Sequence, residues 1–215
     1  KEKKIFTIGV AFSSKSTSTY YGDLGYHSDY FNQNEKAEFP IAKKGRFYED
    51  IMWRDHAILR IMMQTIKKIL NDFDEINIIL RPSPFENPKA FKFLEKKFPG
   101  KILILDQQTL PDFIKNSDVL LTCWSTTGLE ALINNKPVIS IYGFMDEEHL
   151  FQHISKKASG FETYVQLYHN PKSYEELKKM LLEAIQNKLP ISKSDQKLLD
   201  YTLKQLYNWP NTKPA

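Results

Sequence analysis

Cysteine is nearly absent: Cys123 stands alone among 215 residues, so neither an intrachain disulfide framework nor a cysteine metal cluster can form. A reducing compartment follows as the expected setting, and the cytoplasm as the expected address. Long apolar runs are also missing. Nothing approaches the ~18 consecutive apolar residues of a membrane-spanning helix, and no signal-peptide pattern opens the chain. Charge of one sign is scarce, because 30 lysines and arginines against 26 acids leave a net charge of +4, spread along the chain. No basic stripe interleaves with the aromatics, so nucleic acid is not an expected partner. Internal repeats and low-complexity tracts are absent as well.

What is present is a 41% hydrophobic composition, enough to bury the core of one large domain. Its apolar residues fall in short runs: KIFTIGVAF at 4–12, INIILRP at 76–82, KILIL at 101–105, DVLLTCW at 118–124 and PVISIY at 137–142. INIILRP is apolar on both faces of its pleat, as a central parallel strand covered by helices requires.

Helical signals lie between these runs. Ile51, Ile58, Met62, Ile66 and Ile69 form one apolar stripe, predicting a helix over 50–70. Asn87-Pro88 pairs an N-cap with a first-turn proline for a helix ending near Pro99-Gly100. Thr109 and Pro111 open a short helix, and Ser173 with Glu176 makes a capping box before Leu177, Met180, Leu181, Ala184 and Ile185. A last helix is expected over 193–207, and residues 13–49 read as a long functional loop.

Strand and helix in alternation predict an α/β fold, a doubly wound parallel sheet of Rossmann-like type with helices on both faces. The expected organisation is one domain over 1–190 followed by a C-terminal helix and tail over 191–215. Lys1 stands almost directly before the first strand, which raises the expectation of an N-terminal domain outside this chain. Open sheets of this kind bind ligands beyond the carboxyl ends of their strands, so the loops after Phe12, Arg81, Asp106, Trp124 and Tyr142 hold the candidate site.

The richest of these is Ser125-Thr126-Thr127-Gly128-Leu129-Glu130. Hydroxyls and the N–H groups around Gly128 could hold a phosphate, with Gly128 admitting the ligand closely and Glu130 accepting from ribose hydroxyls. The same residues have a bland reading, since Thr127-x-x-Glu130 is a capping box that would satisfy the helix end unaided. Arg81-Pro82-Ser83-Pro84-Phe85-Glu86 follows a buried strand, and its prolines hold Arg81 and Ser83 in fixed directions. Arg81 there suits a phosphate or an acidic neighbour.

Gly9 to Ser16 nearly spells a P-loop, with Asp106 in the place of a magnesium ligand, but Ser14 stands where the second glycine belongs. Ser13, Ser14 and Lys15 remain ligand-facing candidates. His149 and His153 have helical metal spacing but lack a third ligand fixed beside them, so no metal is expected. Tyr20, Tyr21, Tyr26, Tyr30 and Phe31 could stack a base or simply pin the long loop.

The order of strand, RPxPxE loop, helix, strand, short helix, SDVLLT strand, STTGLEA turn and KPVI strand resembles the C-terminal, donor-binding half of GT-B glycosyltransferases. Among these it is most similar to bacterial surface-polysaccharide enzymes of the Kdo-transferase and sialyltransferase-like groups. The resemblance spans about residues 4–187 and is specific across 76–143. It implies a nucleotide-sugar donor, with CMP-sugars favoured and UDP or GDP as alternatives, and an acceptor domain elsewhere.

The donor contacts it implies are Ser13, Lys15, Arg81, Ser83, Ser125, Thr126, Thr127, Gly128 and Glu130, with no cofactor and no catalytic base in this half. Two departures matter. Ser83-Pro84 stands where those groups carry histidine-proline, and a serine cannot supply positive charge to a leaving group. Thr122, eight residues before Glu130, replaces a glutamate common in retaining members, which disfavours that chemistry. A polyol-phosphate transferase of glycerophosphate type and a non-catalytic interaction domain stay open as alternatives. Peripheral contact of the basic, aromatic C-terminal stretch with a membrane surface is a further expectation.

Overall fold

The computed structural model describes residues 5–11, 41–84, 86–105, 109–123, 125–144, 166–192, 197, 199–201 and 204, with backbone alone for 41–56. In chain order come β1 (Phe6–Ala11), α1 (Ile41–Asp72), β2 (Ile76–Arg81), a 3-10 turn (Pro88–Phe91), α2 (Phe93–Lys97) and β3 (Ile102–Ile104). Then follow α3 (Leu110–Lys115), β4 (Val119–Thr122), α4 (Thr127–Ile133), β5 (Val138–Ser140), a second 3-10 turn (Ile141–Phe144) and α5 (Tyr174–Ile185).

The strands pair in the order β3-β2-β1-β4-β5, all parallel. Chain order reverses between β1 and β4, which places the switch point there. A sixth segment adds to the β5 edge: Ser140 N–H donates to His169 O at 2.7 Å and His169 N–H to Val138 O at 2.9 Å.

Alternation along each strand divides the core in two. Ile8, Val10, Ile78, Leu80, Val119, Leu121 and Ile139 face Ile58, Met62, Ile66 and Ile69 of α1 and Leu177 and Leu181 of α5. Ala11, Leu120 and Val138 face Phe113 and Ile114 of α3, Leu129 and Leu132 of α4, and Tyr168 and Leu199. Each fully buried Ile or Leu contributes about 1.5–3 kcal/mol of transfer free energy. With helices on both faces, the sheet is the doubly wound Rossmann-like one read from the sequence.

Several boundaries differ from expectation. α1 begins at Ile41, inside the stretch read as loop, because Gly45 and a lack of regular apolar spacing hid its first turns although Pro40 marks its start. The helix expected from Pro88 to Pro99 is split at Lys92 into a 3-10 turn and α2. Asn87 is nonetheless the N-cap of the first piece, accepting from Lys89 N–H, and beyond the C-cap Phe98 of the second the chain turns at Gly100, φ 74°. The strand at 137–142 gives way after Ser140 to a 3-10 turn. Of the helix expected over 193–207, the described residues 197, 199–201 and 204 are helical.

Gly9 is where α3 touches the sheet. A Cβ there would lie 2.1 Å from Ser117 Oγ, whose hydroxyl donates to Phe113 O. The first glycine of the near P-loop therefore serves packing inside β1.

Candidate functional site at the switch point

Register brings the candidate residues into one row. Ala11 of β1 is opposite both Arg81 of β2 and Thr122 of β4, and Thr122 is opposite Ser140 of β5. Paired residues in a parallel sheet point to the same face, so all four face α3 and α4. At a strand spacing of about 4.8 Å, Arg81 and Thr122 stand about 10 Å apart across Ala11. α3 and α4 both start at this carboxyl end of the sheet and pack against each other.

Arg81 carries the strongest electrostatic signature in the row. Its side chain is half-buried, and burial pulls the guanidinium below the ordinary arginine value. It meets no carboxylate at ion-pair distance among the described residues. Next to it the loop turns sharply: Ser83 N–H donates to Glu86 Oε2 at 2.7 Å, and Glu86 N–H donates to Ser83 O at 2.9 Å. Glu86 is only 1% exposed. The Ser83 hydroxyl oxygen is buried and meets no partner among the described residues.

Across Ala11, the turn after β4 holds itself. The Thr122 hydroxyl accepts from Ser125 N–H at 3.3 Å, and the Ser125 hydroxyl accepts from Thr127 N–H at 3.2 Å. Gly128 N–H donates to Ser125 O at 3.0 Å. The capping box Thr127-x-x-Glu130 does not form, because Thr127 already lies in the helix behind its N-cap Thr126 and gives its N–H to the Ser125 hydroxyl.

Gly128 serves packing rather than ligand approach. A Cβ there would lie 2.4 Å from Tyr168 Cζ, and the Tyr168 hydroxyl donates to Ser125 O at 3.1 Å. The N–H groups of Thr127 and Gly128 are thus used by the turn. The hydroxyls of Ser125 and Thr126 keep donor capacity, and Thr126 is exposed. Glu130 is partly buried and without a counter-ion among the described residues; burial raises its carboxyl above the ordinary glutamate value.

Arg81, Ser83, Ser125, Thr126, Thr127, Gly128 and Glu130 therefore occupy the exits of two strands flanking β1. Ser13, Ser14 and Lys15 lie outside the described residues, as do Asp106, Trp124, His149, His153 and the aromatic cluster at 20–31. Among the described residues, no group of three or more His, Cys, Asp or Glu could hold a metal ion. Sequence reasoning missed the parts played by Glu86 and Tyr168. Ser83-x-x-Glu86 has capping-box spacing and could have revealed the first, whereas nothing local marks Tyr168.

A cavity of about 810 Å³ opens at the opposite, amino end of the sheet, bordered by Phe6, Asp72, Phe73, Asp74, Asn77 and Asp118 among others. No helix among the described residues is long and apolar enough to cross a membrane.

Residues 11–145 match the family model described as capsule polysaccharide biosynthesis protein. The chain belongs to that family. The match runs from the end of β1 through β5, so this capsule polysaccharide biosynthesis family member carries its family signature on the elements that build the switch point. Solved structures similar to it include two of low identity. One is the S. aureus MnaA-UDP co-structure, at 12% identity and a TM-score of 0.43, covering 98% of this chain and 47% of that one. The other is a UDP-N-acetylglucosamine 2-epimerase, at 14% identity and a TM-score of 0.39, covering 98% and 46%. The chain spans about half the length of each. No curated protein matches it.

Proposed function

We propose that this chain is the donor-binding half of a glycosyltransferase in surface polysaccharide biosynthesis, gripping the phosphate of a nucleotide-sugar at the switch point. The observation that carries this reading is Arg81, a half-buried guanidinium without a counter-ion among the described residues, aimed from the end of β2 toward the side where α3 and α4 begin. Removing a charge from water without a partner costs free energy, and an anionic ligand restores it. Ser125 and Thr126 add neutral hydrogen-bond donors, and Glu130 is the acceptor for ribose hydroxyls.

One guanidinium with several hydroxyls matches a single phosphate, which within this reading favours a CMP-sugar over UDP- or GDP-linked donors. Ser13 and Lys15, following β1, would complete the grip. The leaving group is stabilised from this wall of the cleft, and deprotonation of the acceptor falls to a second domain. Thr122 is fully buried and its hydroxyl is spent on the Ser125 N–H, so it offers no carboxylate for a retaining mechanism, and inversion is the reading we favour. The setting would be cytoplasmic, with the transfer at the inner membrane face.

A thermal-shift and calorimetric panel of CMP, CDP, UDP and GDP tests this reading. A nucleotide at about 100 times its Kd stabilises the domain by about 2.7 kcal/mol, which is several degrees in Tm. Absence of a shift with every nucleotide sinks the proposal and leaves a non-catalytic role for the fold.

A further inference from the structure

We infer that Glu86 is a positioning residue that presents the Ser83 hydroxyl, beside Arg81, as a neutral donor to an oxygen of the donor's phosphate; this rests on the reading above. A Ser-x-x-Glu box ordinarily satisfies two groups reciprocally: the serine oxygen accepts from the glutamate N–H, and the carboxylate accepts from the serine N–H. Here only the second half forms. Glu86 Oε2 takes the Ser83 N–H at 2.7 Å, but the Glu86 N–H goes to Ser83 O at 2.9 Å. Both backbone poles of Ser83 are thereby fixed by one residue, and its hydroxyl oxygen is left buried and without a partner among the described residues.

A buried hydroxyl that the fold does not use is unfavourable unless a ligand uses it. Its neighbour two residues back is Arg81, which has no ion-pair partner among the described residues, and Pro82 and Pro84 stiffen the backbone between and beyond them. One charged and one neutral donor leaving the same strand end suit a phosphate oxyanion. A carboxylate as close as Glu86 would repel that anion if it faced it, but the Ser83 N–H holds this one and it is 1% exposed. Glu86 therefore acts on the ligand through the Ser83 backbone.

The test is a double-mutant cycle on the 215-residue chain, titrated with CMP and UDP and, in parallel, with cytidine and uridine. Ser83→Ala is expected to weaken nucleotide binding about tenfold while leaving nucleoside binding unchanged. Glu86→Ala should match it, and the double variant should be no weaker than Glu86→Ala alone. Glu86→Gln should rescue most of the affinity, because its amide oxygen can still accept from the Ser83 N–H. If Glu86→Ala does not fold, Glu86→Asp, one methylene shorter, replaces it in the cycle. Additive losses, a parallel fall in nucleoside affinity, or an unaffected Ser83→Ala overturn the inference alone. Failure of the unmodified chain to bind any nucleotide removes the donor-binding reading and this inference with it.

Discussion

Replacing Arg81 with methionine separates what the residue does for the fold from what it does for a ligand. Methionine keeps an unbranched stem beside Ala11, its partner in the sheet, while removing the guanidinium. In the folded chain that charge is half out of water with no ion-pair partner among the described residues, and burial lowers its proton affinity. A fully buried unpaired charge costs several kcal/mol; discounting for the solvent that still reaches Arg81 leaves a gain of about 0.5–1 kcal/mol on its removal. For a chain of this size that is a rise in Tm of about 1–4 °C.

Binding should move the other way. Loss of a charge-assisted hydrogen bond costs about 1.5–3 kcal/mol, which is about a 10- to 150-fold weaker Kd for a nucleotide. Thermal melts without ligand and calorimetry with CMP or UDP read the two quantities on the same samples. A variant that melts lower and binds nucleotide with undiminished affinity refutes the reasoning, since Arg81 would then be a structural residue.

Glu130→Gln should behave similarly for a different reason. Burial raises the folded-state pKa of Glu130, so ionisation disfavours the fold: the penalty is absent below the unfolded value of 4.5 and present once pH exceeds the folded value. The variant should be the more stable at neutral pH, the gap should close as melts are taken below pH 4.5, and its nucleotide affinity should fall. Asp72 has the opposite sign, because a hydrogen bond from Lys178 at 2.8 Å holds its carboxyl below the usual 3.8. Its stabilising pairing with Lys178 and Tyr174 is present above pH 3.8 and lost as pH falls through the folded value, so Asp72→Asn should flatten the acid limb of the stability profile. Gly128→Ala drives a Cβ to 2.4 Å from Tyr168 and should cost about 1–3 kcal/mol; an unchanged Tm would show that Tyr168 yields freely.

Most of the sheet was legible because buried parallel strands must be apolar on both faces, and β2 and β4 are nearly continuous Ile, Leu and Val. Helix starts were legible where a side chain caps them, as at Asn87, Thr109 and Ser173. The first turns of α1 were not, since Gly45 and the polar residues around it carry no core-facing period. Within the site, the row of Arg81, Ala11, Thr122 and Ser140 could not be read from the chain, because strand register pairs residues that are not neighbours in sequence, Ala11 with Arg81 and Thr122 and Thr122 with Ser140. Tyr168 was hidden for the same reason: only the pairing of its segment with β5 brings it over Gly128.

Four Ser/Thr-x-x-Glu boxes occur in this chain; Ser159 to Glu162 lies outside the described residues, and the other three fold in three ways, which bears on how a site is read. At 173–176 the serine caps Glu176 N–H and the glutamate reaches back to Lys172 N–H at 2.7 Å, so the helix end closes on itself. At 127–130 the box does not form, the Ser125 hydroxyl takes the Thr127 N–H, and Glu130 is left without a counter-ion among the described residues. At 83–86 half a box forms and a hydroxyl is left over. The pattern in sequence is the same, so the pattern cannot distinguish structural from ligand-facing residues. What distinguishes them is the remainder after the fold has satisfied its own groups. Among the described residues at the switch point that remainder includes the Arg81 guanidinium, the Ser83 hydroxyl and the Glu130 carboxylate, which the proposed function assigns to a phosphate and the hydroxyls of a sugar.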